Sequence, residues 1–412
     1  MWIKILFVLF VIALSFGGNF HLFAITPRQF MTIVMFIVCS INYNIIKKGF
    51  NRIIGFYLFY LFLLYLSSLN DDSLNVFWRN LLSQHFVALV SFSAIIYYFH
   101  RFKNVDLIVS TLLICGILNM LVCYLQYIGH PLGFFLGSLF ISNEDVSANR
   151  HMELLAEGNG VGYLLGMRGN AVHNGYFQMI MPFLLIYVHN KFRLAGKNGI
   201  ISKILFVILL TLLIVVVLLI EERSCILFML FIFVFYLLKL YKSFSVRKKC
   251  VVFIVLFFGI VVLFSYIMPV LSDYLLNSRF ADSDDSLRSS LLAKSFSFIK
   301  ENLLLGGMKS FLKIAGYPPH NIFLNSFVEA GVFAFVISLI IYFSQISLGL
   351  KLTNISNHML LGYAFLAYIL NSLFHNDSIL SGDVLAWLLW AMIFSLYKYF
   401  NKEKRWIQTG KR

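Results

Sequence analysis

Apolar residues run through the chain in long stretches, broken by short polar ones. A helix needs ~20 apolar residues to cross a bilayer. Twelve runs approach that length, at about 2–17, 29–46, 53–70, 82–99, 106–128, 172–189, 201–220, 224–241, 250–271, 321–343, 358–375 and 380–398. The pattern predicts an all-α polytopic membrane protein with about twelve transmembrane helices. Residues 279–331 depart from it. They carry Arg279, Arg288, Lys294, Lys300, Lys309, Lys313 and His320, with Asp282, Asp284 and Asp285. Leu287, Leu291, Leu292, Phe296 and Ile299 recur there near helical spacing, which predicts one or two amphipathic helices on a membrane face. Pro318-Pro319 then halts the chain, and His320-Asn321 stands at the mouth of the next apolar run. A polar loop this long in a bundle of spans points to function.

Composition agrees with the pattern. Sixty per cent of residues are hydrophobic and 12% are charged, and the mean hydropathy is +0.85. A soluble domain does not have this balance. The net charge of +15 sorts by loop. With both termini in the cytoplasm, 22 of the 33 basic residues and only Asp106 and Glu403 of the 18 acidic ones fall on the cytoplasmic side. The other face keeps 11 basic and 16 acidic residues. The positive charge is therefore a topology signal, and no nucleic-acid partner is needed to explain it. The first apolar run reads as a span, with no cleavage site after it. Residues 1–412 form a single integral membrane domain, with long outer loops at about 130–171 and 272–320. A shorter outer loop at 70–80 carries Asp71, Asp72 and Arg79. The five cysteines, at 39, 115, 123, 225 and 250, lie in or beside apolar runs and read as buried small hydrophobes.

Polar residues on the outer face carry the candidate chemistry. Arg28, Arg79, Arg150, Arg168, Arg223 and Arg279 precede its first lysine, and Arg288 lies just after Arg279. The planar guanidinium fork grips phosphate through two hydrogen bonds. An arginine cluster beside a bilayer points to a phosphate or pyrophosphate held at the membrane surface. Arg223 lies where two spans meet with almost no loop, next to Glu221 and Glu222. It reads either as a turn charge neutralised by Glu or as a charge facing a cavity. His320 reads as a structural histidine or as a base, since imidazole titrates near neutrality and takes a proton from a hydroxyl. Asn321 reads first as a helix cap. Glu329, about two turns on, is placed to pair with an arginine from the bundle. His173-Asn174 is a second such pair, either lining a substrate or marking a helix start. Acidic pairs such as Asp284-Asp285 and Glu144-Asp145 lack a flanked DxD pattern and read as solvated charge, so no metal site is expected. No nucleotide-binding glycine pattern, metalloprotease motif or serine-hydrolase motif occurs.

At these residues the sequence resembles the O-antigen ligase/polymerase family of bacterial envelope proteins. That family's pattern has a Ser-Arg pair opening a span. A large periplasmic loop follows, with an arginine ahead of an amphipathic helix and a glycine pair. His-Asn-x-x-Leu and Glu-x-Gly then open the next span. The counterparts are Glu222-Arg223-Ser224, Arg288 with Phe296 and Gly306-Gly307, and His320-Asn321-Ile322-Phe323-Leu324 with Glu329-Ala330-Gly331. The likeness covers roughly residues 205–345. It departs where arginine precedes serine, and where Leu303-Leu304-Leu305 follows Asn302 in place of Asn-Pro.

The resemblance implies a membrane glycosyltransferase of the GT-C-like kind at the bacterial inner (cytoplasmic) membrane, with its active site on the periplasmic face. Its partners would be an undecaprenyl-pyrophosphate-linked glycan donor and acceptor, membrane lipids and a chain-length regulator protein. No cofactor and no metal are implied, because arginines stabilise the leaving pyrophosphate. His320 would be the base that activates the acceptor hydroxyl, and transfer would invert the anomeric carbon. Arg223 and Arg288 would clamp the pyrophosphate, with Arg168, His173, Asn321, Arg279 and Glu329 lining the substrate. The sequence is most like an O-antigen polymerase, on the strength of the 130–171 loop and its aromatic-rich, divergent spans. A ligase that joins polymer to lipid A–core is the first alternative. A lipid-linked oligosaccharide flippase is the second, but it should show internal repeats and midplane polar residues, and neither is evident.

Overall fold

The computed structural model describes residues 2–16, 26–47, 52–141, 153, 164–196, 199–220, 222–243, 245, 285–375 and 378–408. Among these the chain is helical, with no strand. The main helices are α1 (Trp2–Ser15), α2 (Pro27–Ile41), α3 (Arg52–Asn70), α4 (Leu74–Phe102), α5 (Asp106–Tyr127), α6 (Ala171–Leu194) and α7 (Ile200–Leu219). After these come α8 (Arg223–Ser243), α9 (Asp285–Glu301), α10 (Met308–Ala315), α11 (Ile322–Thr353), α12 (Met359–Asn371) and α13 (Val384–Gln408). Seven of these are long and apolar enough to cross a membrane, namely α3, α4, α5, α7, α8, α11 and the first part of α13. Helices α1, α2 and α12 are shorter apolar helices, and α6 is long but carries more polar residues. The protein is an all-α polytopic membrane protein. Eleven of the twelve expected spans are helices; the one expected at 250–271 lies outside the described residues.

Sequence signals set the helix starts. Thr26 and Gln29 bond reciprocally to each other's backbone ahead of α2, with Pro27 at the first helical position. Asn170 caps α6 by accepting from Val172 N and His173 N. At the opposite face Lys239 Nζ donates to Thr353 O at 2.6 Å and Asn354 Oδ1 at 2.9 Å. A cation is thus placed at the carbonyl end of α11, where the helix dipole favours it. Asp106, one of two acids expected on that face, accepts from Tyr187 Oη at 2.7 Å and lies 3.7 Å from Lys191 Nζ.

The core lies where α12 and α13 pass through the bundle. Nearly every side chain of α12 is buried, as is the run from Val384 to Ile393 on α13. Trp387 meets the Tyr57 ring at 4.5 Å and Trp390 at 5.0 Å, and Phe92 lies 4.9 Å from Trp390. These edge-on and tilted contacts tie α3, α4 and α13 together. Helix α12 packs against α6, α8, α11 and α13. In contrast α7 and α8 expose Ile204, Leu205, Ile208, Leu230, Phe231 and Val234. In water such a surface would be a liability; against acyl chains it is at rest.

Residues 164–169 are irregular yet packed inside the bundle. Their backbone groups find side-chain partners, as non-helical chain at membrane depth must. Asn119 Oδ1 accepts from Met167 N at 2.7 Å, Gln126 Oε1 from Gly166 N at 3.0 Å, and Asn174 Nδ2 donates to Leu164 O at 2.7 Å. Asn119 Nδ2 in turn donates to Asn174 Oδ1 at 2.6 Å.

The charge distribution and the helix order place α9, α10 and the start of α11 on the face opposite the chain termini. An alkaline phosphatase fusion at Lys313 should therefore be active and one at Lys103 inactive. Phosphatase activity only at Lys103 would reverse the topology.

Candidate functional site

The polar segment holds two helices, of which α10 is strongly amphipathic and α9 only weakly so. On α9, Leu291, Ser295, Phe298 and Ile299 are buried while Leu292 and Phe296 are exposed. Phe298, Ile299, Phe311 and Val328 form a small apolar cluster that seats α9 and α10 on α11. Between α9, the start of α11 and the end of α12 lies a cleft of about 440 Å³. Its wall is mostly apolar, with Leu291, Leu292, Phe323, Leu324 and Phe374, and His320 and Asn321 stand at it. His320 is exposed.

Asn321 is committed to structure at both ends of its amide. Its Oδ1 accepts from Phe323 N at 3.0 Å and Leu324 N at 3.2 Å, which caps α11. Its Nδ2 donates to Leu373 O at 3.0 Å. The same short turn, 371–375, holds the start of α8. Ser224 Oγ and His375 Nε2 are 2.9 Å apart, Glu222 Oε2 lies 3.9 Å from that nitrogen, and Asn371 Nδ2 donates to Cys225 Sγ at 3.1 Å. Glu222 is buried beside His375, and Arg223, the first residue of α8, is exposed. The two sequence motifs, Glu222-Arg223-Ser224 and His320-Asn321, therefore meet on one turn. Both helices present their amide ends here, which, with Arg223, favours negative charge.

The third motif is built by backbone. Helix α11 is broken at Ala330 and Gly331, whose dihedrals are non-helical. Into the break fits the loop before α10. Gly307 N donates to Val328 O at 2.7 Å and Val332 N to Leu303 O at 2.9 Å. A Cβ on Gly331 would strike the Leu304 carbonyl oxygen, and one on Gly306 would strike that of Val328. Both glycines also have positive φ, +79° and +64°. The glycine pair and Glu-x-Gly are thus two halves of one contact. Asp71 locks it from the α3–α4 turn: Oδ2 accepts from Lys309 N at 2.6 Å and Oδ1 from Ser310 N at 3.1 Å and from the Ser310 hydroxyl. Asp71 thereby caps α10 from a distant part of the chain. Lys309 Nζ adds a 3.2 Å contact to Asp72. Glu329 lies at the break. Its described partner is not an arginine but the Tyr60 hydroxyl, at 2.8 Å, and its carbonyl oxygen accepts from Ser67 Oγ at 2.5 Å.

The other expected residues divide. Arg288 lies in the first turn of α9, one turn ahead of the cleft-lining Leu291 and Leu292; its side chain is outside the described set. Arg279 and Arg150 also lie outside it. Arg168 turns inward: its Nη1 donates to Ser15 O at 2.5 Å and Leu14 O at 3.3 Å, and its guanidinium sits 5.2 Å from the Phe177 ring. It closes the carbonyl end of α1. His173 is half-buried in the first turn of α6, and its neighbour Asn174 belongs to the amide network around 164–169. Arg28 is partly buried, within electrostatic reach of Arg168 and Asp383, and the Tyr368 hydroxyl donates to Asp383. The sequence reading missed His375, Tyr60 and the capping role of Asp71. His375-Asn376 is a third His-Asn pair at the outer end of a span, and that repetition was the available signal. Four of the cysteines are buried and unbridged, as expected. Among the described residues no three His, Cys, Asp or Glu gather as metal ligands would.

Residues 204–339 match the family model described as O-antigen ligase. The match spans the start of α8, α9, the glycine pair and the start of α11, and it supports the O-antigen ligase/polymerase family for this chain. No curated protein matches the chain significantly.

Gly331→Ala should cost on the order of 2 kcal/mol, from the forced left-handed conformation alone. Asp71→Ala should cost about 1 kcal/mol, the worth of a helix cap. Thermal melts of the purified protein in nanodiscs would check the order; a Gly331→Ala protein as stable as wild type would mean the loop does not dock there.

Proposed function

We propose that the chain is an O-antigen polymerase, transferring an undecaprenyl-pyrophosphate-linked glycan onto a sugar of another lipid-linked repeat unit. The site faces the periplasm from the bacterial inner membrane. The observation that carries this reading is the shared anchorage of Glu222-Arg223-Ser224 and His320-Asn321 on the 371–375 turn. The segments carrying Arg223 and His320 are thereby brought to one turn, and His320 lines an apolar cleft suited to an isoprenoid chain. His320 takes the proton of the acceptor hydroxyl as its oxygen attacks the anomeric carbon from the face opposite the leaving group. The bond from that carbon to the pyrophosphate oxygen breaks, and the electron pair leaves with the pyrophosphate. Arg223 and Arg288 hold the charge that develops there. No metal is required for this step, because fixed side-chain cations replace it.

The description of the matching family model favours a second reading, a ligase that passes finished polymer to lipid A–core. The two share the donor and the chemistry and differ in the acceptor. Deleting the gene separates them. Lipopolysaccharide carrying core plus one repeat unit means a polymerase; bare core with accumulated lipid-linked polymer means a ligase.

His320→Ala should give a folded, inserted protein that binds donor and transfers on the order of a hundredfold to ten-thousandfold more slowly. His320→Gln should not rescue it, since an amide accepts no proton at neutral pH. Arg223→Lys and Arg288→Lys keep the charge but lose the fork, so each should be severely impaired at normal expression. Transfer should survive excess EDTA. A purified His320→Gln enzyme working at the wild-type rate would remove the base from the mechanism.

A further inference from the structure

A second cleft, of about 160 Å³, opens between the end of α3, the first part of α11, the starts of α4 and α10 and the turn before α13. Its lining differs in kind from the apolar cleft beside His320. Ser67, Ser68, Ser73, Asn80, Gln84 and Ser381 bring hydroxyls and amides, Phe77 brings a ring, and Glu329 brings a carboxylate. No lysine or arginine contributes to this lining. Leu64, Val76, Met308 and Leu380 also line it, so the surface mixes apolar with hydrogen-bonding groups and offers no lysine or arginine to a phosphate. Neutral hydrogen-bonding groups on several sides, one aromatic face and one carboxylate acceptor match the hydroxyl-covered rim and apolar face of a pyranose ring.

The cleft is built rather than incidental. Residues 73, 77, 80 and 84 recur at three- and four-residue steps, so one helical face presents Ser73, Phe77, Asn80 and Gln84 together. A π-helical turn at Leu81–His85 carries Gln84, and such turns gather at functional sites. His85 anchors the turn, its Nδ1 lying 2.6 Å from Tyr57 Oη in the core. Gly382 closes the floor, where a Cβ would come within 3.0 Å of His85 Nδ1 and 3.1 Å of Gln84. Opposite, Glu329 is held by Tyr60 and Ser67 at the break in α11. Among the described residues, the amides of Asn80 and Gln84 make no hydrogen bond, and both reach solvent.

We infer that this cleft is a saccharide subsite, taking a sugar ring of the glycan while the apolar cleft takes the isoprenoid. The inference rests on the reading of the chain as a glycan transferase, and it adds Asn80, Gln84 and Phe77 to Glu329 as specificity-determining residues. The first part of α11 contributes to both clefts, Phe323 and Leu324 to the apolar one and Glu329 to the second.

The test is binding rather than turnover. The probe is the lipid-free repeat-unit oligosaccharide released by mild acid from the host's own lipopolysaccharide. It is presented at millimolar concentration to the full-length protein in nanodiscs, free of sugar detergents, and saturation-transfer NMR reads the contact. The wild-type protein should bind, and Asn80→Ala and Gln84→Ala should each weaken binding about tenfold, a hydrogen bond's worth. Both residues lie on the outer surface of α4, so folding should hold; Phe77→Leu, which keeps apolar bulk and removes the ring, gives an independent loss should either fail. No binding by wild type, or unchanged binding in all folded variants, overturns the subsite. Transfer by wild type with unchanged oligosaccharide binding in the variants sinks the subsite and spares the proposed function. Cleft-dependent binding by a wild-type protein that transfers nothing does the reverse.

Discussion

The break in α11 is the contact on which the outer half of the molecule depends. A helix that crosses a membrane normally keeps its backbone bonds to itself. Here it gives up that closure at Ala330 and Gly331, and another loop's peptide groups take over. The exchange is possible only because Gly306 and Gly331 let two backbones approach where a side chain would collide. Everything nearby follows from it. The loop fixes the start of α10, α10 and α9 share an apolar cluster over α11, and α9 forms one wall of the cleft at His320. The carboxylate of Glu329 is left at the break, bonded to Tyr60.

Position along the membrane normal sorts the chemistry. The helix ends on the side of the chain termini use lysines, as with Lys239 of α8 at the carbonyl end of α11 and Lys191 of α6 beside Asp106 of α5. The outer ends use arginine, histidine and carboxylates in mixed clusters that cross between helices. Arg168 reaches the end of α1, and His375 meets both Glu222 and Ser224. Charge on the first face closes helix ends and neutralises Asp106. Charge on the second is held in fixed geometry, which is what a site needs if it is to stabilise charge without waiting for solvent to rearrange.

Much of this was legible in the sequence, for identifiable reasons. Spans are readable because hydrocarbon imposes a length, and α3, α5, α7 and α8 fall close to the expected bounds. Helix α4 starts earlier than its apolar run, because Asn75, Arg79 and Asn80 interrupt the hydrophobic pattern over its first turns. Asn321 was readable as a cap because capping is local. The same reasoning fails wherever partners are distant. Glu329 was expected to meet an arginine and meets a tyrosine from α3, and nothing within its own segment encodes that. Arg168 looks like a ligand-binding outer charge until its position against the carbonyls of Leu14 and Ser15 is known. Asp71 looks like solvated loop charge until α10 arrives. Pairings across hundreds of residues leave no periodicity to read.

The 371–375 turn has a consequence for how the protein comes into being. It lies between α12 and α13, which are made after every other described helix and also fill the centre of the bundle. The early spans are thus inserted into the membrane before the elements that will sit among them exist. Neither the start of α8 nor the start of α11 has its anchoring partner until α12 has been made, and the Trp387–Tyr57 contact must await α13. The junction of the starts of α8 and α11 therefore forms only after α12 has been made, by contacts between helices far apart in the order of synthesis.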